Sequence, residues 1–391
     1  MTPAARAQAA IELLDEIIAA ARDGGAAADT MIARYFRERR YAGSKDRRAV
    51  RELVFRAIRR AGERPVSGRA ALIGLARDEP EIAALFDGSP RGPAPIAEGD
   101  PAAAAGIAPA WLTERFDPLV TEAEWPALLA RAPLDVRVNR LKAGRDAAPL
   151  PGATPTPHSP LGIRLPEGSN VEQSDAWKQG LVEVQDEGSQ LVALACEAKP
   201  DMTVVDLCAG AGGKTLALAA EMANQGRLIA CDTDRARLAR MAPRLERAGV
   251  SIVEARLLDP RRETEALADL VGRADVVLVD APCSGSGTWR RNPEARWRLT
   301  GARIERLAAL QARLLELAAT LLAPGGALVY AVCSLLGEEG RDQAAAFSSR
   351  SSLVVEQLPI SVGRAAGPGR LLTPGHDGTD GFFVARWRRP C

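Results

Sequence analysis

The chain has 391 residues, with 51 Lys or Arg against 50 Asp or Glu, so its formal net charge is only +1. Hydrophobic residues make up 47% and charged residues 26%, which is typical of a globular protein that buries a core without disulfides. This composition excludes a disordered tail, a collagen and a disulfide-stapled mini-protein, and the length predicts two or three domains.

The first 60 residues are predicted to be helical, because apolar residues recur at helical spacing over Ile11–Ile18 and Val50–Ile58. No apolar run approaches the roughly 20 residues of a membrane span, and charges interrupt the N-terminal stretch, so we expect a cytoplasmic protein without membrane contact. Between Arg34 and Arg60, eleven basic residues, Arg47 and Arg48 among them, stand against three acidic ones. This excess is either a solvated helix face or a phosphate-binding patch for RNA.

Three domains are predicted along the chain. Residues 1–125 form a helical domain, in which the Pro-, Gly- and Ala-rich stretch 62–109 is typical of a linker or loose surface structure. Residues 126–180 carry the short strand-like pieces Leu134–Leu141 and Gly162–Leu165, which indicate a small α/β subdomain. Residues 181–391 alternate apolar strands with helices, which predicts an α/β fold with a doubly wound, mostly parallel sheet. Its predicted elements are the strands Thr203–Leu207, Arg227–Cys231, Ser251–Leu257, Ala274–Val279, Ala327–Val332 and Phe382–Trp387, and the helix Ile304–Leu322.

A glycine-rich loop, DLCAGAGGKT, follows the first of these strands and opens a helix. A P-loop ATPase is a rival interpretation, because GKT fits and VVLVDAP resembles a magnesium-binding strand, but Cys208 stands where the first glycine belongs. A dinucleotide loop fits less well, since Thr215 replaces its third glycine. The better match is S-adenosylmethionine binding: Asp206 ends the strand, Gly210, Gly212 and Gly213 form the turn, and later strand ends supply further acids. Asp232 is placed for the ribose hydroxyls and Asp259 for the adenine edge.

Two cysteines follow two further strands: Cys283 comes after the fourth and Cys333 after the fifth. Neighbouring strands lie about 5 Å apart, so both thiols are expected to face one pocket. A thiolate that adds to carbon 6 of cytosine makes carbon 5 nucleophilic towards a sulfonium methyl group, and a base must then remove the carbon-5 proton. Asp280 is placed to hold the ring nitrogen. With no C-x-x-C spacing and only two histidines, no metal site is expected.

The chain resembles the RsmB-like branch of the NOP/SUN family of RNA cytosine-5 methyltransferases. The resemblance rests on VQDEGSQL, DLCAGAGGKT, DAPCSGSGTWRRNPE, CSLLGEE and LLTPGHDGTDGFFVAR. WLTERF and LDVRVNRLK are similar to the family's preceding subdomain, and SKDRRAVRELVFRAIRR to its NusB-like RNA-binding helical domain. The implied fold is a class I, Rossmann-like methyltransferase domain behind these two parts.

The resemblance also implies residue roles. Cys333 would be the nucleophile, Cys283 would help to release the product, and Lys214 would lie close to the reacting base. In DNA cytosine-5 methyltransferases the nucleophile instead sits in the Pro-Cys motif, which is Cys283 here. The implied contacts to S-adenosylmethionine are Asp206, Cys208, Ala209, Gly210, Ala211, Gly212, Gly213, Lys214, Asp232, Asp259 and Asp280. Val332, Gly337 and Gly340 depart from the family pattern, which we interpret as changes in loop packing.

The implied substrate is RNA of the small ribosomal subunit, bound by a monomer. Arg290, Arg291, Arg296 and Arg298, interleaved with Trp289 and Trp297, are expected to hold the RNA backbone and stack on bases. Three alternatives stay open at this point: a transfer RNA substrate, a catalytically silent RNA-binding assembly factor, and an ATPase.

Overall fold

The computed structural model describes residues 1–148 and 150–391. It divides into two compact units: a helical unit of Met1–Phe116, Trp125–Arg131 and Thr288–Gly301, and a mixed unit of Asp117–Glu124, Ala132–Gly287 and Ala302–Cys391. Thr288–Gly301 therefore belongs to the helical unit, although the predicted boundaries assign it to the methyltransferase domain. Across the described residues, no helix combines the length and apolarity that crossing a membrane demands.

The helical unit confirms the prediction for the first 60 residues. Its core is built from apolar side chains of the first four helices, among them the fully buried Leu14, Ile17, Val54, Ile58 and Leu72. Full burial of each such side chain stabilises the unit by about 1.5–3 kcal/mol. The helices are α1 (Pro3–Asp23), α2 (Ala28–Glu38), α3 (Ser44–Arg60), α4 (Gly68–Asp78), α5 (Pro80–Ala83), α6 (Ala110–Thr113) and α7 (Trp125–Leu129).

The interpretation of residues 62–109 as linker or loose surface structure is wrong for its first third. The hydroxyl of Ser67 caps α4 by accepting from the Ala70 amide at 3.0 Å, and the apolar side chains of α4 are buried in the core. Gly68 lies so close to α1 that a Cβ there would come within 2.1 Å of the Ile11 carbonyl oxygen. The small residues that suggested a linker instead allow two helices to approach closely.

The mixed unit contains the predicted small α/β part as a four-stranded antiparallel sheet in the order β2-β3-β1-β4. The first strand ends at Val138 rather than Leu141, because the Asn139 side chain accepts from the Leu141 amide at 3.1 Å and turns the chain. The elements are β1 (Leu134–Val138), β2 (Thr154–Pro155), β3 (Gly162–Leu165), α8 (Asp175–Lys178) and β4 (Val182–Val184).

A nine-stranded sheet forms the rest of the mixed unit and confirms the Rossmann-like prediction. Its elements are α9 (Glu187–Leu194), β5 (Thr203–Asp206), α10 (Gly213–Glu221), β6 (Arg227–Asp232), α11 (Arg235–Ala248), β7 (Val253–Leu257), α12 (Glu263–Ala266), β8 (Ala274–Asp280), α13 (Gly301–Leu321), β9 (Leu322–Val332), α14 (Arg341–Arg350), β10 (Val354–Val355), β11 (Arg364–Ala366), β12 (Gly369–Leu372), α15 (Pro374–Asp377) and β13 (Phe382–Arg388).

The strand order of the large sheet is β11-β12-β13-β9-β8-β5-β6-β7, with β10 beside β13. Strands β5 to β9 are parallel, and β13 runs antiparallel to β9. Since β5 lies between β6 and β8, the order reverses there, and ligands of such sheets bind outside the carboxyl ends of strands at this switch point. The strand β9 begins five residues before its predicted start at Ala327, because a register shift opposite Ala274 and Val276 absorbs Pro324–Gly326.

Candidate active site

The glycine-rich loop lies between β5 and α10, at the switch point. Gly212 has a φ of 84°, and a Cβ there would lie 2.5 Å from the Met241 side chain, so this turn requires glycine. A Cβ added to Gly210, by contrast, would meet no other atom within 4 Å. The loop thus presents an open cradle at the N-terminus of a nine-residue helix, which fits a ligand approaching the backbone closely.

Asp232 connects this loop to the end of β6. One carboxylate oxygen accepts from the Gly210 amide at 2.8 Å and the other from the Asp234 amide at 2.8 Å. The side chain therefore fixes the turn and borders the cradle, where its remaining lone pairs suit a diol. Asp259 lies two residues past the end of β7 and is exposed to solvent.

Asp206, at the end of β5, is buried with 1% of its surface exposed. Its Oδ2 accepts from the Thr215 hydroxyl at 2.7 Å, whereas its Oδ1 is buried without a partner. Burial raises the pKa of Asp206 to about 7, although the Thr215 hydrogen bond opposes that shift. An orphaned carboxylate oxygen beside the cradle is an unmet acceptor, which suits a ligand that carries hydrogen-bond donors or positive charge.

A partly buried ion pair spans the space between α10 and β8. The Lys214 Nζ lies 2.7 Å from the Asp280 Oδ2 and 5.3 Å from the centroid of the Phe382 ring. Burial alone would lower the pKa of Lys214, but the negative charges of Asp280, Cys333 and Asp206 outweigh it and raise the pKa. The pair therefore keeps a positive charge next to the cysteines.

The sulfur atoms of Cys283 and Cys333 lie 3.4 Å apart. The strand register explains why the two sulfurs are close. Asp280 of β8 pairs with Ala331 of β9, and Cys283 follows Asp280 by three residues while Cys333 follows Ala331 by two. The hydrogen bond to Cys333, together with burial and the charge of Glu339, raises the pKa of the Cys283 thiol. This shift favours the protonated form of Cys283.

The prediction that Trp289, Trp297 and Arg296 contact RNA is wrong. Both tryptophans, Trp289 and Trp297, are buried, and the fully buried Arg296 donates to the carbonyl oxygens of Ile58 and Ala61 within the helical unit. These side chains are not available to stack on bases. Arg298 is half-buried and donates to the carbonyls of Gly25 and Ala26, Arg290 is only 6% exposed, and Arg291 is half-buried.

The basic stretch of the helical unit is exposed only in part. The Arg47 guanidinium donates to the Ala42 carbonyl at 2.8 Å, whereas Arg48 is exposed. Within the described residues, four exposed basic side chains of α2, α3 and the turn between them form no ion pair: Arg37, Arg40, Lys45 and Arg48. We call these four residues, together with Tyr41, the α2–α3 basic corner; Tyr41 is 75% exposed.

Two features of the site are not apparent from the sequence patterns. The Phe382 ring packs near Lys214. The fully buried Glu339 carboxylate accepts hydrogen bonds from the Ser284 amide and the Ser334 hydroxyl, in the residues that directly follow the two cysteines. CSLLGEE contains Glu339 and LLTPGHDGTDGFFVAR contains Phe382, but no spacing within these motifs shows that the residues converge on the site. Over residues 1–148 and 150–391, no three His, Cys, Asp or Glu side chains form a group that fits a metal ion.

Comparisons with known proteins agree with this geometry. A family model described as 16S rRNA methyltransferase RsmB/F matches residues 193–388. The ribosomal RNA small subunit methyltransferase B of Sodalis glossinidius (strain morsitans) is 35% identical over 80% of this chain and 74% of its own length. The relatives of that name from Enterobacter and Klebsiella are matched over 65% of their length.

Solved structures extend the likeness to the whole chain. The crystal structure of PH0851 superposes with a TM-score of 0.75 at 25% identity, and the match covers 100% of this chain and 99% of that one. A methyltransferase homolog from Pyrococcus horikoshii gives a TM-score of 0.60 at 30% identity, covering 68% of this chain and 90% of that one. The chain belongs to the RsmB/F family and is an S-adenosylmethionine-dependent RNA methyltransferase.

Proposed function

We propose that this protein methylates carbon 5 of a cytosine in RNA through a transient covalent bond between Cys333 and carbon 6 of the ring. The observation that carries the proposal is the 3.4 Å approach of the Cys283 and Cys333 sulfurs. It occurs at the carboxyl ends of adjacent parallel strands, in the sheet whose switch point holds the glycine loop.

S-adenosylmethionine, when bound, supplies an electrophilic methyl group on a sulfonium sulfur. The residues that would hold it are the glycine loop from Cys208 to Lys214, with Asp232 on the ribose and Asp259 and Asp280 as further contacts. Two observations support this assignment: the space next to Gly210 is open, and the Oδ1 of Asp206 has no hydrogen-bond partner.

Cys333 is the better nucleophile of the pair on electrostatic grounds. The hydrogen bond between the sulfurs, burial and the nearby negative charges raise the pKa of the Cys283 thiol, so Cys283 is poorly suited to attack as a thiolate. The Lys214 ammonium interacts electrostatically with Cys333 and thus supplies a positive charge near the attacking sulfur. The thiolate adds to carbon 6, and the electron pair of the carbon 5–carbon 6 double bond becomes available for carbon 5 to take the methyl group.

Cys283 would then complete the cycle. Once the Cys333 sulfur is bonded to carbon, it no longer carries the negative charge that holds Cys283 protonated, so Cys283 can release its proton to solvent water and become a thiolate. Its thiolate takes the proton from carbon 5, the carbon 5–carbon 6 double bond reforms, and the Cys333 sulfur leaves as a thiolate. Asp280, which accepts a hydrogen bond from Lys214, would hold the ring nitrogen during addition.

Small-subunit ribosomal RNA is the proposed substrate, because the relatives in this family carry that substrate in their names. The α2–α3 basic corner supports RNA binding by the helical unit, since it offers four exposed cations for phosphates and the exposed Tyr41 ring for a base. The target cytosine must leave its stack for a sulfur to reach the face of the ring.

Two cysteine variants test the mechanism. We expect Cys333→Ala to abolish methylation while S-adenosylmethionine still binds in a calorimetric titration. Cys283→Ala should form the covalent bond but fail to break it, which gives a slowly migrating protein–RNA band on a denaturing gel. The reverse pattern, with adducts only in Cys333→Ala, would assign the nucleophile to Cys283 and overturn the proposal.

Bisulfite sequencing of total RNA from a strain that lacks this protein tests the substrate. We expect one 5-methylcytosine to disappear from small-subunit ribosomal RNA, whereas loss from transfer RNA alone would contradict that part of the proposal. No loss of 5-methylcytosine in any RNA would contradict the reaction itself.

A further inference from the structure

The fully buried carboxylate of Glu339 accepts hydrogen bonds from both cysteine loops. Its Oε1 accepts from the Ser284 amide at 2.9 Å, and its Oε2 accepts from the Ser334 hydroxyl at 2.6 Å. Ser284 directly follows Cys283, and Ser334 directly follows Cys333. One side chain thus connects the residues next to the two reactive sulfurs.

Further hydrogen bonds make this connection rigid. Gln311 of α13 donates from its amide to the Glu339 Oε1 at 3.0 Å and to the Pro282 carbonyl at 2.9 Å. The buried Tyr330 hydroxyl donates to the Glu339 carbonyl at 2.7 Å. Every partner of the carboxylate is a donor, which is the complement that a carboxylate requires.

The serine hydroxyls add a second layer to the same connection. The Ser284 and Ser334 hydroxyl oxygens lie 3.1 Å apart, and the Ser286 hydroxyl lies 3.1 Å from Ser334. The Ser286 hydroxyl also accepts from the Leu335 amide at 2.8 Å, and the Gly287 amide donates to the Cys333 carbonyl at 3.0 Å. We call Glu339, Ser284, Ser286, Ser334 and Gln311 the carboxylate clamp.

We propose that Glu339 is a positioning residue for the two-cysteine reaction: it holds the loops after β8 and β9 at one separation, so that both sulfurs reach the same pyrimidine ring. The inference rests on the function proposed above. Glu339 also has an electrostatic effect, because its negative charge helps to keep Cys283 protonated while Cys333 attacks. A misplacement of about 1 Å at a reacting group costs about 100-fold in rate, which sets the expected effect.

The test compares Glu339→Ala, Glu339→Gln and Glu339→Asp in the full chain, with Glu316→Gln as the control, since Glu316 lies on α13 and is 54% exposed. We expect Glu339→Ala to lower kcat about 100-fold with an unchanged KM for RNA and unchanged binding of S-adenosylmethionine. Gln keeps an oxygen for the Ser284 amide and should restore part of kcat, whereas Asp is too short to reach both loops and should not.

The relative rate at which iodoacetamide alkylates the two cysteines should not change if Glu339 has a purely structural role. With the Glu339 charge removed in Glu339→Gln, Cys283 should be alkylated faster relative to Cys333 than in the wild-type protein, as measured by peptide mass spectrometry at pH 7.5. Because this variant retains hydrogen bonds, its melting temperature should stay close to that of the wild type, so the test holds even where Glu339→Ala does not fold.

Each outcome decides the matter. A folded Glu339→Gln protein with wild-type kcat and a wild-type alkylation ratio would overturn the positioning role, while Cys333→Ala remaining inactive would leave the proposed function intact. Methylation that survives Cys333→Ala would overturn both. Reduced kcat that Gln partly restores, together with faster alkylation of Cys283, is the result that supports the inference.

Discussion

Replacing Asp206 by Asn should change how the stability of the mixed unit depends on pH. Asp206 is buried at the end of β5, and burial raises its pKa from 3.8 to about 7. The Thr215 hydroxyl donates to one carboxylate oxygen at 2.7 Å, and the carbonyl oxygen of Asn can accept the same hydrogen bond. The substitution therefore removes the titration and leaves the packing almost unchanged.

The sign follows from the direction of the shift. A carboxyl group with a higher pKa in the folded state binds its proton more tightly there, so its contribution to stability is complete below pH 3.8 and is lost as the pH rises through about 7. At about 1.4 kcal/mol per pKa unit, the whole loss is about 4 kcal/mol, and more than half of it falls between pH 5 and pH 8.

Hydrogen–deuterium exchange of β5 and β6 peptides, corrected for intrinsic exchange rates, measures the local opening free energy between pH 5 and pH 8. The wild-type opening free energy should fall with rising pH relative to Asp206→Asn. Asp175→Asn is the control, because that side chain is 82% exposed and should keep the wild-type slope. Equal slopes for the wild type and Asp206→Asn would refute the reasoning from burial.

Three further substitutions test other parts of the structure. Gly212→Ala should weaken S-adenosylmethionine binding in a calorimetric titration and destabilise the fold by about 1–2 kcal/mol, because φ is 84° and the new Cβ would meet Met241; unchanged affinity would contradict this. Arg296→Met should lower the melting temperature of the helical unit, because buried carbonyls lose their donor; an unchanged melting temperature would contradict it. Lys214→Met should reduce kcat about 100-fold or more, because it removes the cation next to Asp280 and the cysteines; kcat within two-fold of wild type would refute that role.

The sequence predicts the large sheet well because each strand is a short apolar run that ends in a chemically distinctive residue. Asp206, Asp232 and Asp280 each end a strand, as the spacing indicates. Parallel strands bring such ends to one edge of the sheet, so topology alone predicts that Cys283 and Cys333 meet there. Local pattern and tertiary geometry agree in this part of the chain.

The sequence is misleading where composition and packing conflict. Helix α4 contains Gly68 and Gly74, a residue type that is typical of loops, yet its apolar side chains are buried and Gly68 packs closely against α1. Arg296 and Trp297 have the composition of an RNA-binding loop, yet they are internal parts of the helical unit. Only tertiary contacts separate these two interpretations, since a buried and an exposed arginine look the same in a sequence.

Glu339 shows a third limit. Its partners come from three segments, the loops after β8 and β9 and the helix α13, so no spacing in one motif reveals the convergence. The sequence alone does not show which of the two adjacent glutamates of CSLLGEE is buried.

Peptide mass spectrometry of the RNA adduct tests the central claim most directly. Cys283→Ala, incubated with S-adenosylmethionine and small-subunit ribosomal RNA and then digested with protease and nuclease, should yield one cross-linked peptide, with a methylated cytosine nucleotide attached to Cys333. A nucleotide attached to any other residue, or a fully active variant without an adduct, would contradict the assignment of Cys333 as the nucleophile and Cys283 as the residue that releases it.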